Sequence, residues 1–222
     1  ACLAATSAAS AAASPPYDLG AAVLAAVNQA EAARGDPLSG GGSFYKATLP
    51  EVCGTVLSTG ISPEDLLSAY EAALPLAGGG VVPPGCAFGC VLADSGEADE
   101  LLRLYQELPV GRWTGKCFHP GPAPSHTGTL VNTARGALTL DKEVEVFPGS
   151  VYVGESAVQP GTEALVVDYS EGAEPFRAVR DEMREVAPGV HLGKLQRVQG
   201  PGASAEAPVD LAFFALLALK EE

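Results

Sequence analysis

Gly111-Arg112-Trp113-Thr114-Gly115-Lys116-Cys117-Phe118-His119 holds the only Trp of the chain in a run of strand-forming residues. Period-two alternation along a strand puts Trp113, Cys117 and His119 on one face and Thr114, Lys116 and Phe118 on the other. From Pro109 onward the chain keeps this texture, with short alternating runs broken by Gly, Pro, Ser and Asn, as strands and turns require. Strands are expected at Arg112–His119, Thr129–Thr133, Gly136–Leu140, Glu143–Phe147, Val151–Val158, Ala164–Tyr169, Val190–Val198 and Leu211–Leu219. One segment interrupts them. Phe176, Val179, Met183 and Val186 recur at helical offsets between Pro175 and Pro188, so a single helix is expected at Pro175–Val186. Eight short strands suffice to close a barrel around a small interior, or to form an open sheet curved about that helix.

Upstream of residue 109 the periodicity is helical. Leu19, Val23, Ala26, Val27 and Ala30 define a helix over Tyr17–Arg34, stopped by Gly35-Asp36-Pro37. Ser62-Pro63-Glu64-Asp65 reads as N-cap, N1, N2 and N3 of a second helix running through Leu66, Leu67, Tyr70, Ala73 and Leu74. Asp94–Leu108 suggests a third, with acids in the first turn where the helix dipole favours them. Gly40–Gly42 and Gly78–Gly80 read as joints. The domain organisation expected is therefore an Ala/Ser-rich flexible tail over 1–16, a helical region over 17–108 and an antiparallel barrel domain over 109–222. The uncharged tail buries little. It reads as the remnant of a targeting segment or as a tether, and the first compartment it suggests is an organelle such as a plastid.

Composition narrows the function classes. The 222 residues carry 13 Lys+Arg against 27 Asp+Glu, a net charge of −14. Residues 1–108 hold 3 basic and 12 acidic side chains, residues 109–222 hold 10 and 15. Such a balance disfavours nucleic acid and anionic membrane surfaces, both of which call for clustered Lys and Arg. No apolar run reaches the length of a membrane-spanning helix. The 5 cysteines, Cys2, Cys53, Cys86, Cys90 and Cys117, are odd in number and irregular in spacing, so reduced core thiols are the expectation. A bridge from Cys53 to Cys86 or Cys90 stays open.

Chemistry has few footholds. Cys117 and His119 would line the same interior as the sole Trp, but side chains two apart on a strand are about 6–7 Å apart at the backbone, too far for direct activation of a thiol. On the expected helix, Arg177 with Asp181 and Asp181 with Arg184 form short-range ion pairs, and Arg180 with Arg184 forms a cationic pair shaped to grip a carboxylate. Asp168 or Glu155 on neighbouring strands are its alternative partners. His191 begins a strand and reads as a satisfied structural residue. His119, His126 and His191 lack metal-ligand spacing. No phosphate loop, dinucleotide-binding GxGxxG unit or GxSxG elbow occurs, and Glu143 and Glu145 precede a turn without facing a second carboxylate across a cleft.

Gly111-x-Trp113 on the first expected strand resembles the opening motif of the calycin superfamily, the lipocalins and fatty-acid-binding proteins, and Val167-Asp168-Tyr169 resembles their Thr-Asp-Tyr motif with Val167 in place of Thr. That resemblance spans residues 109–219 and implies an α+β protein: an antiparallel calycin-like β-barrel or half-barrel with an inserted helix and an N-terminal helical extension. It further implies a Trp at the closed end, with Arg197 as the late Arg packed on it, and a cup for an apolar or amphipathic small molecule such as a lipid or pigment. A longer pattern also resembles a group of uncharacterised bacterial and algal proteins. It comprises Trp113-x-Gly115-Lys116-x-Phe118, Val151-Tyr152-x-Gly154-Glu155-Ser156 and Arg180-Asp181-Glu182-x-Arg184-x-Val186-x-Pro188-Gly189. The ligand-binding residues expected are Trp113, Lys116, Cys117, His119, Tyr169, Arg180, Arg184, His191 and Arg197. Two other readings stand beside binding: an accessory subunit docked on a larger assembly by its helices and tail, and an enzyme using Cys117 with His119 or Asp168 with Arg180 and His191.

Overall fold

A computed structural model describes residues 18–34, 49–58, 60–73, 82–94, 112–122, 126–136, 142–172, 174, 176–198 and 209–219. The tail over 1–16, the two Gly joints, the expected strand at 137–140 and the third helix beyond Asp94 lie outside the described residues. Three helices come first: α1 (Leu19–Arg34), α2 (Leu49–Ser58) and α3 (Pro63–Ala72). Eight strands follow: β1 (Gly85–Asp94), β2 (Arg112–Pro120), β3 (Thr127–Arg135), β4 (Glu143–Glu155), β5 (Glu163–Asp168), β6 (Val179–Ala187), β7 (Val190–Arg197) and β8 (Val209–Ala218). Each strand pairs antiparallel with the next, and β8 returns to β1, closing the barrel. This is the α+β, closed antiparallel form of the expected architecture, consistent with a calycin-like barrel.

Local chemistry sets the helix starts. Ser62 accepts from the Asp65 backbone N–H at 3.1 Å while Asp65 accepts from the Ser62 N–H at 3.3 Å, a reciprocal capping box with Pro63 just inside it. Asp18 accepts from the Ala21 N–H at 2.8 Å at the head of α1. The helices form an outer layer over one side of the barrel. Leu19, Val23 and Val27 of α1, Val52 and Val56 of α2, and Leu66 and Tyr70 of α3 pack with Cys90, Leu192, Phe213, Ala215 and Leu217 on the outer wall. Each Leu or Val so buried contributes roughly 1.5–3 kcal/mol. Disulfides Cys53–Cys90 and Cys86–Cys117 tie β1 to α2 and to β2. Four of the five cysteines are therefore oxidised, which corrects the expectation of reduced core thiols.

Three segments depart from the sequence-based expectation. The helix expected at Pro175–Val186 is a single 3-10 turn, Phe176–Ala178, followed by strand β6. The ladder explains why: without β6 between β5 and β7 the barrel would have two open edges. Val179, Asp181 and Met183 turn inward and Arg180, Glu182 and Arg184 outward, so polar groups sit on both faces and mask the alternation. Gly85–Asp94, expected in the helical region, is strand β1. Ala87, Gly89 and Val91 face the interior, and Cys90 and Phe88 face the helices, so both faces are covered and the run reads as continuously apolar. The strand-rich unit therefore takes one strand from before residue 109. Finally, Glu143–Phe147 and Val151–Val158, expected as two strands, fuse into the long β4, in which Phe147 carries a positive φ of 46°.

Candidate functional site

A β-bulge determines which side chains meet inside. On β2, Trp113 lies opposite Ala134, but Gly115 lies opposite Thr133, so Thr114 is an extra residue against β3. A Cβ at Gly115 would run into the Ala87 carbonyl oxygen of β1, so only glycine fits where the strand kinks. The inserted residue shifts the alternation. Trp113 therefore shares the interior with Lys116 and Phe118, whereas Cys117 and His119 lie on the outer face. This corrects the grouping of Trp113 with Cys117 and His119 expected from simple alternation. Cys117 is bonded to Cys86 and offers no thiol, and His119 is exposed at the end of its strand. The enzyme reading built on that pair loses its nucleophile.

The interior divides lengthwise. Toward one end Phe118, Leu130, Val151, Leu165, Met183 and Leu216 fill the barrel. Toward the other end is a cavity of about 40 Å³ lined by Val91, Trp113, Lys116, Asn132, Tyr169, Asp181, Leu195, Ala212 and Phe214. That volume is room for about three water molecules. Glycines make space for the aromatic walls: a Cβ at Gly89 would strike the Trp113 ring, and one at Gly193 the Phe214 ring. The two rings meet edge to face with centroids 5.7 Å apart. Two wider hollows lie on the outside, about 250 Å³ beside the start of α3 and about 240 Å³ between α1 and α3, and both are open to solvent.

Four polar side chains from β2, β3, β6 and the end of β5 converge on the inner cavity. Lys116 Nζ donates to Asn132 Oδ1 at 2.8 Å and to Tyr169 Oη at 2.7 Å, and pairs with Asp181 Oδ2 at 2.8 Å. Tyr169 in turn donates to Asp181 Oδ2 at 2.9 Å and accepts from Asn132 Nδ2 at 3.1 Å. Asn132 Oδ1 also accepts from Trp113 Nε1 at 3.0 Å, and Asn132 Nδ2 also donates to the Phe147 carbonyl at 3.0 Å. The ammonium lies 5.3–5.5 Å from the centroids of Trp113, Tyr169 and Phe214, close enough for cation–π attraction to all three.

All three protons of Lys116 are used, both amide protons of Asn132 are used, and the Tyr169 hydroxyl both donates and accepts. Asp181 Oδ1 is different: it is buried and has no hydrogen-bond partner among the described residues. An unmade bond to a buried carboxylate oxygen costs well over about 1 kcal/mol. The spare capacity of the cavity is therefore one anionic acceptor.

No family model and no curated protein matches the chain. Among solved structures, a protein from Thermomonospora curvata is similar at a TM-score of 0.48 and 14 % identity, covering 75 % of this chain and 95 % of that one.

The other residues singled out from sequence are dispersed. Arg180 and Arg184 face outward. Arg180 donates to Glu182 at 2.6 Å, and Arg184 donates to Gln159 at 2.5 Å and to Thr162. Arg184 also lies over the Tyr70 ring, 4.8 Å from its centroid. His191 sits on the inner side of β7, opposite Leu216 near the filled end, where burial lowers its pKa and Glu185 partly offsets the shift. Arg197 is exposed at the end of β7. Asp168 lies opposite Arg180 in the ladder and accepts from the Ser170 N–H at 2.7 Å. With Arg180 outside and His191 inside, the alternative catalytic grouping of Asp168, Arg180 and His191 does not assemble. Asn132, Asp181, Phe214, Val91, Leu195 and Ala212 are the cavity residues that the sequence reading did not assign to binding. Among the described residues no cluster of His, Cys, Asp or Glu is arranged for a metal, and no helix is long and apolar enough to cross a membrane.

Proposed function

We propose that this chain is a small-molecule-binding barrel of calycin-like type whose ligand enters the cavity beside Trp113 and presents a neutral hydrogen-bond donor, a hydroxyl or amide N–H, to Asp181. The carrying observation is the buried Asp181 oxygen that has no partner among the described residues, in a cavity whose apolar walls are Trp113, Phe214, Leu195, Ala212 and Val91. The apolar walls favour an amphipathic molecule, as the family resemblance implies, and the cavity volume favours a short one. A carboxylate head would meet the Asp181 charge, and every donor of Lys116 is already committed, so fatty acids fit poorly. Arg180 and Arg184, expected to hold such a head, are engaged on the outer wall.

The sole Trp of the chain reports directly on the cavity. Titration with short alcohols and primary amides is expected to shift Trp113 emission saturably, while the matching carboxylates leave it unchanged. Asp181→Asn should weaken the alcohol response about tenfold, the worth of one hydrogen bond to a charged acceptor. A saturable response to carboxylates, or none to any donor-ended probe, would overturn this reading.

A further inference from the structure

We infer that Lys116 is a carbonyl-trapping amine: it condenses with small aldehydes to form a protonated Schiff base whose counter-ion is Asp181. This goes beyond reversible binding and uses the same cavity. Lysine amines in apolar pockets are the side chains that form such bonds with carbonyl compounds. Lys116 is 3 % exposed, lines the cavity among three aromatic rings, and touches at 2.8 Å a carboxylate placed to take its proton. The aromatic faces around its nitrogen would attract an iminium as they attract the ammonium.

The hydrogen-bond network is arranged to survive the conversion. An ammonium offers three protons and an iminium one. Asn132 Oδ1, on losing Lys116, keeps Trp113 Nε1 as donor. Tyr169 Oη keeps Asn132 Nδ2. Asp181 Oδ2 keeps the Tyr169 hydroxyl together with the remaining iminium proton. No acceptor is orphaned by the change.

The steps balance. Lys116 Nζ passes one proton to Asp181, and the freed electron pair attacks the carbonyl carbon, forming the C–N bond. A proton moves from nitrogen to the new alkoxide, giving a carbinolamine. Asp181 then returns its proton to that hydroxyl, which leaves as water while the nitrogen pair forms C=N. One aldehyde and one ammonium become one iminium and one water, with Asp181 again a carboxylate. No oxidant or reductant is consumed.

The test uses the full, disulfide-intact chain with propanal and cyanoborohydride, followed by peptide mapping. Lys116 is expected to gain one propyl group about ten times faster than the exposed Lys142, the kind of gain that a positioned partner gives a nucleophile. Asp181→Asn and, should that variant fold poorly by circular dichroism, Tyr169→Phe should reduce labelling at Lys116 about tenfold and leave Lys142 unchanged. Label on Lys142 with Lys116 untouched overturns the inference, as does labelling of Lys116 that neither variant slows. Titration with 1-propanol separates the two proposals: alcohol binding without aldehyde trapping removes the Schiff base and leaves the binding cavity standing.

Discussion

Asp181 and Glu182 are adjacent on β6, equally buried, and differ in what surrounds them. Glu182 faces the helical layer, where it accepts from Tyr70 Oη at 3.1 Å, Ser156 Oγ at 2.8 Å, the Ala157 N–H at 2.6 Å and Arg180 at 2.6 Å. Both oxygens are saturated. It clasps α3, the 156–162 loop and the barrel wall together; burial above all, and then the Glu182 charge, raises the Tyr70 pKa strongly and keeps that phenol protonated. Among the described residues, Asp181 faces the cavity with both of its donors on one oxygen and none on the other. A saturated carboxylate is a fastener, whereas a half-satisfied one beside a cavity keeps room for one more donor, which the proposed ligand would supply.

Replacing Glu182 breaks the first half of that contrast. Glu182→Ala leaves Tyr70, Ser156 and the Ala157 N–H without this acceptor and removes the partner of the half-buried Arg180, and is expected to cost about 3 kcal/mol in urea unfolding, since each buried donor left unpaired costs about 1–3 kcal/mol. A loss below about 1 kcal/mol would mean that solvent reaches the clasp. The inner pair should behave otherwise. Lys116→Met with Asp181→Leu removes both charges together and is expected to stay within about 2 kcal/mol of the native chain, because apolar residues of similar size replace a buried ion pair well. The same double variant should lose the alcohol response of Trp113. If it unfolds instead, the inner group is a fastener as well.

The smallest effect concerns His191. Its folded pKa is depressed by burial, so between that value and about 6.5 the unfolded chain binds a proton that the folded chain refuses. Stability from the neutral imidazole is therefore complete above about pH 6.5 and declines as pH falls below it. His191→Gln should flatten the stability profile between pH 7 and 5 relative to the native chain, by less than about 1.4 kcal/mol per pH unit. Identical profiles would place this imidazole in water.

Sequence reading reached the elements with one clear pattern. Strands β2, β3, β5 and β7 carry alternation or turn punctuation, and β8 carries an apolar run too short for a membrane helix. The capping box of α3 was visible in Ser62-Pro63-Glu64-Asp65. Strand β1 was hidden because the helices cover its outer face, which leaves no polar half to mark the period. Strand β6 was hidden for the opposite reason: charge lies on both faces, Asp181 inside and Arg180, Glu182 and Arg184 outside. Helix α2, with Gly54 in its middle, has too short a periodic run to stand out. Within the site, Trp113, Lys116 and Tyr169 were named, but the inserted Thr114 reassigned their companions. Trp113 and Lys116 are three apart and share a face only through a bulge, for which Gly115 was the one local hint. Asp181 could not be placed while its segment read as a helix.

Both described disulfides end on β1, at Cys86 and Cys90, and the other neighbour of that strand is β8. During synthesis β1 emerges more than a hundred residues ahead of the partner that completes it, and contacts so distant along the chain are slow to form. Until then its outer rim is a bare template for foreign strands. Covalent anchorage of this early strand to α2 and β2 holds it in register while the rest of the polypeptide arrives, so an oxidising environment would guard the nascent chain as well as the finished one.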